Sequence, residues 1–567
     1  MRTLWLMPLL GLCSTSIARR NEQVDDILRW IHGPTPDTAP WTAQDGGSPE
    51  KPSTNVHARS SAGYRFLNRS TEKFAVNGTN VPDVAYDVGE SYAGLLPITD
   101  MKDERDHLYF WFFPTVNEEH KEKKEIVVWL NGGPACSSLL GFLQENGPFL
   151  WQPGTRKPVK NPWSWHELTN VVWIEQPVSV GFSKGTSTVK NEDDVARQFM
   201  GFWKNFVDTF SLQGYKVYIA AESYGGIYGS FISSHMINAN DSKYFDVGGM
   251  IIYNGIVFDE MVQSNVIIPS FVEQHHNLLA LDDATMRQIR TTSEACGFGA
   301  YERKYLTYPP SGPAPIYPPP GQVPPNGTVQ ADCESLFYFI YTKAVAANPC
   351  FSVYNIGDRC PKVHDPLLEE PYFDRQDVKM AINAPLDVKW SRCTRQVFNL
   401  SHMDESLPPG NYELPNVIDR TNNVILAHGF MDAVLPLNGL LLGIQNMTWG
   451  SLLGFQTRPS DPFYVPLYGF DHGRGKYYGE SNPGGSGVVG TSHHERGLTL
   501  VVTQLAGHQG PASAPASAFR HLEKLLGRVR NLSSAIPFTL PGLLNVTQMT
   551  EPLGKGTVAI PCMERGC

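Results

Sequence analysis

A serine stands at a sharp junction between an apolar run and two glycines. Residues 217–221 (VYIAA) form the apolar run, and 222–226 (ESYGG) follow it directly. Small residues, Ala221 and Gly225, flank Ser223 two positions away on either side. A strand that turns tightly into a helix needs such small neighbours, so that the serine oxygen can stand clear of the backbone. The pattern predicts a nucleophile elbow with Ser223 as the nucleophile.

A serine hydroxyl becomes a strong nucleophile only when a base accepts its proton and a third group orients that base. On an elbow of this kind the acid and then the histidine follow the serine along the chain. Asp432 follows the apolar run 424–427 (VILA), and His508 follows the run 499–505 (TLVVTQL). We therefore expect these two residues to complete a triad. Other histidines remain as alternative bases: His428, His493 and His494.

A glycine turn ends another apolar run at 129–138 (WLNGGPACSS). Glycine lets the backbone approach a ligand closely. We predict that the N–H groups of Gly133 and Tyr224 form an oxyanion hole, since backbone donors stabilise a developing negative charge. Asn131 adds a neutral amide donor that suits a carboxylate.

Short apolar runs and one amphipathic stretch must position these residues. Between the runs 171–174 and 217–221, residues 191–210 repeat apolar side chains at three- and four-residue steps, which predicts a helix. The alternation of strand, helix and strand predicts the α/β class with a parallel sheet. The runs expected to be buried strands are 126–130, 171–174, 217–221, 250–253, 424–427 and 499–505.

The chain also divides into segments of different composition. Arg2, an apolar run and small residues at Ser16 and Ala18 are typical of a signal peptide. Cysteines and the proline-rich stretch 308–325 interrupt the strand pattern and predict an insertion. The predicted segments are a signal peptide (1–18), a pro-segment or flexible arm (19–62), the first part of the core (63–254), an inserted cap (255–390), the second part of the core (391–530) and a C-terminal extension (531–567).

Composition excludes several classes of protein. The 567 residues carry a net charge of −10, so there is no basic excess for nucleic acid. Beyond the signal peptide no apolar run reaches 18 residues, so we expect no membrane span. The eight cysteines outside the signal peptide lack zinc-type spacing, so we expect disulfides and neither a metal nor another cofactor. Glycosylation sequons, which fit secretion rather than vacuolar delivery, begin at Asn68, Asn77, Asn240, Asn326, Asn399, Asn446, Asn531 and Asn545.

WLNGGPACSS, ESYGG, HGFMD and AGHQGP, in this order and spacing, resemble the serine carboxypeptidases. Residues 66–98 and 444–455 resemble the fungal carboxypeptidase S1 branch. The resemblance implies an α/β-hydrolase fold with an inserted cap and an enzyme that removes single residues from the C-termini of peptides. The roles that it implies are the triad Ser223, Asp432 and His508, the oxyanion hole of Gly133 and Tyr224, a carboxylate site of Trp129, Asn131, Glu145 and Glu222, and a disulfide between Cys136 and Cys393.

Two glutamates side by side cannot both ionise cheaply, so we expect Glu145 and Glu222 to share a proton. A carboxyl that keeps its proton can donate to a peptide carboxylate, which predicts activity at acidic pH. Ala135 stands where the family has glycine, and this matters if the position needs a positive φ. Two alternatives remain open: a serine acyltransferase or esterase on the same fold, and a catalytically inactive secreted binding protein.

Overall fold

The computed structural model describes residues 64–315, 333, 335–358, 364–394, 397–398, 404–466, 468–470, 485–540 and 543–545. The predicted signal peptide and N-terminal arm lie outside these residues. The strands in chain order are β1 (Ala75–Val76), β2 (Ser91–Pro97), β3 (His107–Phe113), β4 (Glu125–Leu130), β5 (Phe149–Leu150), β6 (Val159–Lys160), β7 (Asn170–Glu175), β8 (Lys216–Glu222), β9 (Asp246–Tyr253), β10 (Val424–Gly429), β11 (Thr448–Trp449), β12 (Leu452–Leu453), β13 (Asp461–Val465), β14 (Tyr468–Phe470), β15 (Gly487–Glu495), β16 (Leu498–Thr503) and β17 (Leu543–Asn545).

The longer helices in chain order are α1 (Glu192–Phe210), α2 (Gly225–Ala239), α3 (Ile268–Gln274), α4 (Asp283–Cys296), α5 (Phe298–Tyr305), α6 (Leu336–Ala347), α7 (Gln376–Ala381), α8 (Glu413–Thr421), α9 (Leu437–Asn446) and α10 (Pro515–Leu525). Shorter helical turns lie at Glu72–Phe74, Leu139–Gly141, Phe142–Asn146, Trp165–Glu167, Met261–Asn265, His276–Leu279, Tyr372–Asp374, Pro409–Asn411 and Gly510–Ser513. Within the described residues, no helix combines the length and the apolar character that crossing a membrane requires.

One large sheet organises the described chain, in the order β1-β2-β3-β7-β4-β8-β9-β10-β16-β15-β13. The six neighbouring strands from β7 to β16 are parallel, and the strands outside them pair antiparallel. Five of the six apolar runs predicted as strands lie within these strands, and the sixth, 499–505, extends two residues beyond the end of β16 at Thr503. Helices cover both faces, so the side chains of such strands are buried on both sides and read as continuous apolar runs. The carboxyl ends of β8, β9, β10 and β16 meet at one edge.

Helix α1 confirms the helix predicted at 191–210. The side chain of Asn191 accepts a hydrogen bond from the N–H of Asp194 and caps the helix. Acidic residues fill the first turn, where they complement the helix dipole. Five apolar residues at the predicted steps are buried, so this face packs on the sheet: Val195, Phe199, Phe202, Phe206 and Phe210.

The described residues between β9 and β10 form helices and turns rather than strands of the large sheet. A disulfide joins Cys296 at the end of α4 to Cys333, one of the pairings that the sequence left open. Another disulfide joins Cys136 to Cys393, the pair that the resemblance implies. It ties the glycine turn after β4 to the chain that leads back toward β10. The boundaries of the predicted cap stay a prediction.

The predicted glycosylation sites are partly described. Five of the sequon asparagines are exposed: Asn68, Asn77, Asn240, Asn446 and Asn531. Asn326, Asn399 and the side chain of Asn545 lie outside the described residues.

Candidate active site

Ser223 lies at the predicted junction, after the last residue of β8 and two residues before Gly225 begins α2. Its φ of +60° is unusual for a residue other than glycine, which is typical of a strained elbow. Its N–H donates to the Tyr253 carbonyl (2.9 Å), and its carbonyl accepts from the N–H of Ile256 (3.0 Å). These bonds fix the elbow against the chain that leaves β9.

Asp432 and His508 meet, as predicted, in the loops after the neighbouring strands β10 and β16. Nδ1 of His508 lies 2.7 Å from Oδ2 of Asp432, and both side chains are buried. Within the described part of the chain, Oγ of Ser223 makes no hydrogen bond. Ser223 and His508 are therefore not hydrogen-bonded to each other in this structure. This is common in substrate-free active sites, where catalytic hydrogen bonds often form fully only when substrate binds.

The alternative bases are placed elsewhere. His493 Nε2 lies 2.9 Å from Glu495 Oε1 within β15. His494 Nδ1 lies 2.9 Å from the hydroxyl of Thr499 on β16. His428 ends β10 and is buried, and this burial lowers its pKa to about 4. Among these four histidines, only His508 forms a hydrogen bond with Asp432 in the described part of the chain.

The glycine turn packs directly on the elbow. A Cβ atom on Gly132 would lie 2.5 Å from the Tyr224 nitrogen and 2.6 Å from the Glu222 carbonyl oxygen. Glycine is therefore required at position 132, because any side chain would collide with the backbone of the elbow. Ala135 has a φ of +66°, so the position does lie in the left-handed region that favours glycine.

The predicted carboxylate-binding residues form one buried cluster beside the elbow. Oδ1 of Asn131 accepts from the indole N–H of Trp129 (2.8 Å) and from the N–H of Gly141 (2.9 Å). These two donors orient the amide so that its Nδ2 points away from them. Nδ2 lies 3.3 Å from Glu145 Oε1 and 3.4 Å from Glu222 Oε1.

Glu145 and Glu222 are both fully buried, and burial is the main cause that raises the pKa of each carboxyl. Their side chains hydrogen-bond to each other, which lowers the pKa of Glu145 and raises that of Glu222. The charge of Glu145 adds to the rise at Glu222. The pair therefore keeps one shared proton to a higher pH than separate carboxyls would, as expected for two carboxyls in contact.

The side chain of Tyr224, whose N–H faces the glycine turn, is anchored by two more acids. Its Oη lies 3.0 Å from Glu192 Oε1 and 2.7 Å from Asp404 Oδ2. Burial raises the pKa of both carboxyls. This anchor holds the residue that follows the nucleophile.

Sequence reasoning missed two residues that touch the triad. Asn254 donates from Nδ2 to Oδ2 of Asp432 (2.8 Å). Tyr354 accepts the N–H of His508 on its carbonyl (2.6 Å), and its ring centroid lies 5.2 Å from the imidazole. Asn254 had a signal, because it directly follows an apolar run at the edge where the triad lies. Tyr354 had none, since it lies in an irregular stretch between cysteines.

The sequence model of the serine carboxypeptidase family matches residues 82–528. This chain belongs to the serine carboxypeptidase family. A probable serine carboxypeptidase of Arthroderma benhamiae is 43% identical over 488 residues, which cover 82% of this chain and 88% of that protein. Serine-type carboxypeptidase F of Aspergillus niger is 38% identical over 487 residues, with the same coverage of 82% and 88%.

Among solved structures, a prohormone-processing carboxypeptidase of Saccharomyces cerevisiae, Kex1, has a TM-score of 0.61 at 20% identity and covers 81% of this chain and 96% of its own. This likeness concerns the fold, and it confirms the predicted α/β-hydrolase architecture. The predicted resemblance to fungal serine carboxypeptidases is confirmed by the relatives, and so is the prediction of a serine-type carboxypeptidase enzyme.

Proposed function

We propose that this serine carboxypeptidase is a secreted enzyme that releases single C-terminal residues from peptides through an acyl-enzyme on Ser223. The observation that carries the proposal is the buried cluster of Asn131, Glu145 and Glu222 directly beside the elbow. An amide donor and a carboxyl that keeps its proton can both donate to a carboxylate. An ester without a free carboxylate would leave this cluster without a partner.

In the acylation step, Oγ of Ser223 attacks the carbonyl carbon of the last peptide bond. Nε2 of His508 accepts the hydroxyl proton, while Asp432 holds the imidazole through Nδ1 and stabilises its positive charge. The N–H groups of Gly133 and Tyr224 donate to the oxyanion of the tetrahedral intermediate. The imidazolium then gives its proton to the leaving amino nitrogen as the C–N bond breaks.

In the second half, a water molecule attacks the acyl carbon while His508 accepts one of its protons. The intermediate collapses, the Ser223 ester breaks, and the proton returns to Oγ. The shortened peptide leaves with a new carboxylate. One residue is released in each cycle because the carboxylate site and the elbow are neighbours.

The preference for acidic pH follows from two groups that must be in opposite protonation states, one without its proton and the other with it. His508 must be neutral to accept the serine proton, which sets the acid limb of kcat/KM. The proton that Glu145 and Glu222 share must be present to donate to the substrate carboxylate, which sets the alkaline limb. We propose a bell-shaped profile centred below pH 7. An optimum near pH 9 on peptides would contradict this assignment.

Digestion of a peptide and of its C-terminal amide at about pH 5 tests the proposal. We expect one residue at a time to be lost from the free acid and the amide to be spared. Equal attack on both would contradict recognition of a carboxylate. Hydrolysis of esters or acyl transfer alone would favour the alternative enzyme class.

Labelling with a fluorophosphonate separates the enzyme from a binding protein that has kept the fold. We expect covalent labelling of the wild type and none of Ser223→Ala. A folded wild type that does not label would contradict the triad.

Secretion and glycosylation are further parts of the proposal. The apolar N-terminal run and the exposed sequon asparagines support them. Expression in a fungal host should release the protein into the medium, and a glycosidase should lower its apparent mass. Retention inside the cell without glycans would contradict both.

A further inference from the structure

Asn254 directly follows β9 in a conformation that few residue types adopt. It is fully buried, and its φ of +44° lies in the left-handed region. Asparagine tolerates this region better than most residues do. Its backbone N–H donates to the carbonyl of Ala427 on β10 (2.8 Å), so Asn254 is held against that strand.

The amide of Asn254 connects two parts of the loop that presents the acid. Its Oδ1 accepts from the N–H of Gly429 (3.1 Å), and its Nδ2 donates to Oδ2 of Asp432 (2.8 Å). The backbone donor determines which end of the amide faces the carboxylate, since only the oxygen can accept from Gly429. The NH₂ group of Asn254 therefore faces Asp432 and donates a hydrogen bond to its carboxylate.

Among the described residues, four donors bond to the Asp432 carboxylate. Oδ1 accepts from the backbone N–H groups of Val434 (2.8 Å) and Leu435 (3.2 Å). Oδ2 accepts from Nδ1 of His508 (2.7 Å) and from Asn254. Asn254 therefore donates to the same oxygen as the imidazole. Without this second donor, the carboxylate would lose the contact that holds Oδ2 from the β9 side.

We propose that Asn254 is a positioning residue of the triad: its amide fixes the rotation of the Asp432 carboxylate and so the orientation of His508. The inference rests on the proposed function, because it assigns Asp432 and His508 the triad roles. The buried backbone, the positive φ and the amide orientation together select asparagine here. Among the described residues, the titratable and charged side chains that act on this part of the site are His508, His428, Glu145, Glu222, Tyr354 and Arg392.

Asn254→Asp is the first test because it keeps the side-chain size and the tolerance of positive φ. It replaces the donor with a carboxyl that faces Asp432. We expect kcat/KM on a peptide to fall about 100-fold, as for a small misplacement of a catalytic group. We also expect the acid limb of the pH profile to move to lower pH, because two buried carboxyls in contact share one proton, so that the negative charge is divided between them and less of it faces the imidazole.

Asn254→Gly provides a second variant should the aspartate disturb folding. Glycine accepts the positive φ and removes only the amide. We expect a smaller loss, about tenfold, since backbone donors still hold Oδ1 of Asp432. The rate of fluorophosphonate labelling at Ser223 should fall in parallel with kcat/KM for both variants.

Asn423 offers a matched control at the opposite end of the same two strands. Its Nδ2 donates to the carbonyls of Gly248 and Leu525, each at 2.9 Å. Asn423→Asp removes a half-buried clamp of the same chemistry without touching the triad. We expect a lower melting temperature and an unchanged acid limb.

The outcomes separate the two proposals. A wild-type acid limb and kcat/KM in Asn254→Asp, or an equal shift in Asn423→Asp, would overturn the positioning role. If the wild type labels with fluorophosphonate but does not cleave peptides, the proposed carboxypeptidase function fails, and labelling rates against pH still decide the role of Asn254. A folded wild type that does not label overturns both.

Discussion

Ala135 keeps a left-handed backbone within the glycine turn, and the hydroxyl of a buried tyrosine holds it there. Its N–H lies 3.1 Å from Oη of Tyr228, which accepts the hydrogen bond. Tyr228→Phe would leave this buried N–H unpaired, so we expect the free energy of unfolding to fall by about 1–3 kcal/mol. Urea denaturation measures this change in the free energy of unfolding. In the double variant with Ala135→Gly the loss should be smaller, because glycine adopts other conformations of the turn without strain.

A control for this coupling is Tyr109→Phe. Oη of Tyr109 is buried and donates to the carbonyl of Ile382 (2.8 Å), which does not belong to the glycine turn. Its effect should add to that of Ala135→Gly, as for independent sites. Additive behaviour of Tyr228→Phe as well would show that the hydroxyl does not hold the turn.

The proton shared by Glu145 and Glu222 predicts how activity responds to alkaline pH. Burial and the charge of Glu145 raise the pKa of Glu222, so its proton is lost only as the pH rises. Glu222→Gln replaces this proton with an amide N–H that cannot titrate. We therefore expect kcat/KM to fall less steeply at alkaline pH, while the acid limb stays in place. Profiles of kcat and KM against pH measure this, and the difference should appear in KM.

Glu302→Gln is the matched control for Glu222→Gln. Glu302 is also a buried carboxyl, and burial raises its pKa to about 7, but its partners are Asn438 and Ser270. Its replacement should leave both limbs of the pH profile unchanged. An unchanged alkaline limb in Glu222→Gln would assign that limb to another group.

At the scale of elements, the contact between the glycine turn and the elbow determines whether the two oxyanion donors converge. Gly132→Ala would place a methyl group 2.5 Å from the Tyr224 nitrogen and would push the turn away. Loss of one such donor costs about 100-fold or more in kcat. We expect a fall of this size, measured by steady-state kinetics.

Gly299→Ala serves as the control for the methyl group itself. Gly299 lies in α5, where a Cβ would meet only the end of the Arg303 side chain at 3.1 Å. Alanine favours a helix over glycine, so stability should not fall and kcat should not change. A wild-type kcat in Gly132→Ala would show that the turn can shift without loss of the donors.

The sequence predicted the central elements because their signals are local. The six parallel strands are apolar on both faces, and the elbow follows one of them within two residues. The antiparallel strands β2, β3, β13 and β15 at the two edges were not predicted. Tyr354 reaches His508 from a segment without periodicity. Such contacts depend on how distant segments pack, and no local pattern encodes them.

At the scale of the whole molecule, two groups of buried side chains oppose each other in their response to pH. Burial raises the pKa of Glu175 and Glu302 to about 7. Burial lowers the pKa of His166 and His521 to about 3. As the pH rises from about 4.3 to the folded pKa of such a glutamate, its ionisation lowers the free energy of unfolding. Such a histidine has the opposite effect, because the free energy of unfolding increases as the pH rises toward about 6.5. The two effects offset each other at acidic pH, and only the loss continues above about pH 6.5.

Glu302→Gln isolates the glutamate side of this balance. The folded state must ionise a buried carboxyl at pH 8, whereas at about pH 4.5 the carboxyl is protonated in the fold and only partly ionised in the unfolded chain. We expect the variant to be more stable than the wild type by about 2–4 kcal/mol at pH 8 and nearly equal at about pH 4.5. Urea denaturation at both values measures this.

His521→Phe should behave in the opposite way. His521 is buried, packs against Phe463 with ring centroids 4.8 Å apart, and has no hydrogen-bond partner among the described residues. The wild-type fold must keep this imidazole neutral, which costs stability at about pH 4.5 and not at pH 8. The variant should therefore gain stability relative to the wild type only at the lower pH, and any packing cost of the larger ring should be equal at both. A gain for Glu302→Gln that does not change with pH would show that its carboxyl is not ionised in the fold, and the decline in stability expected above pH 6.5 would then need another source.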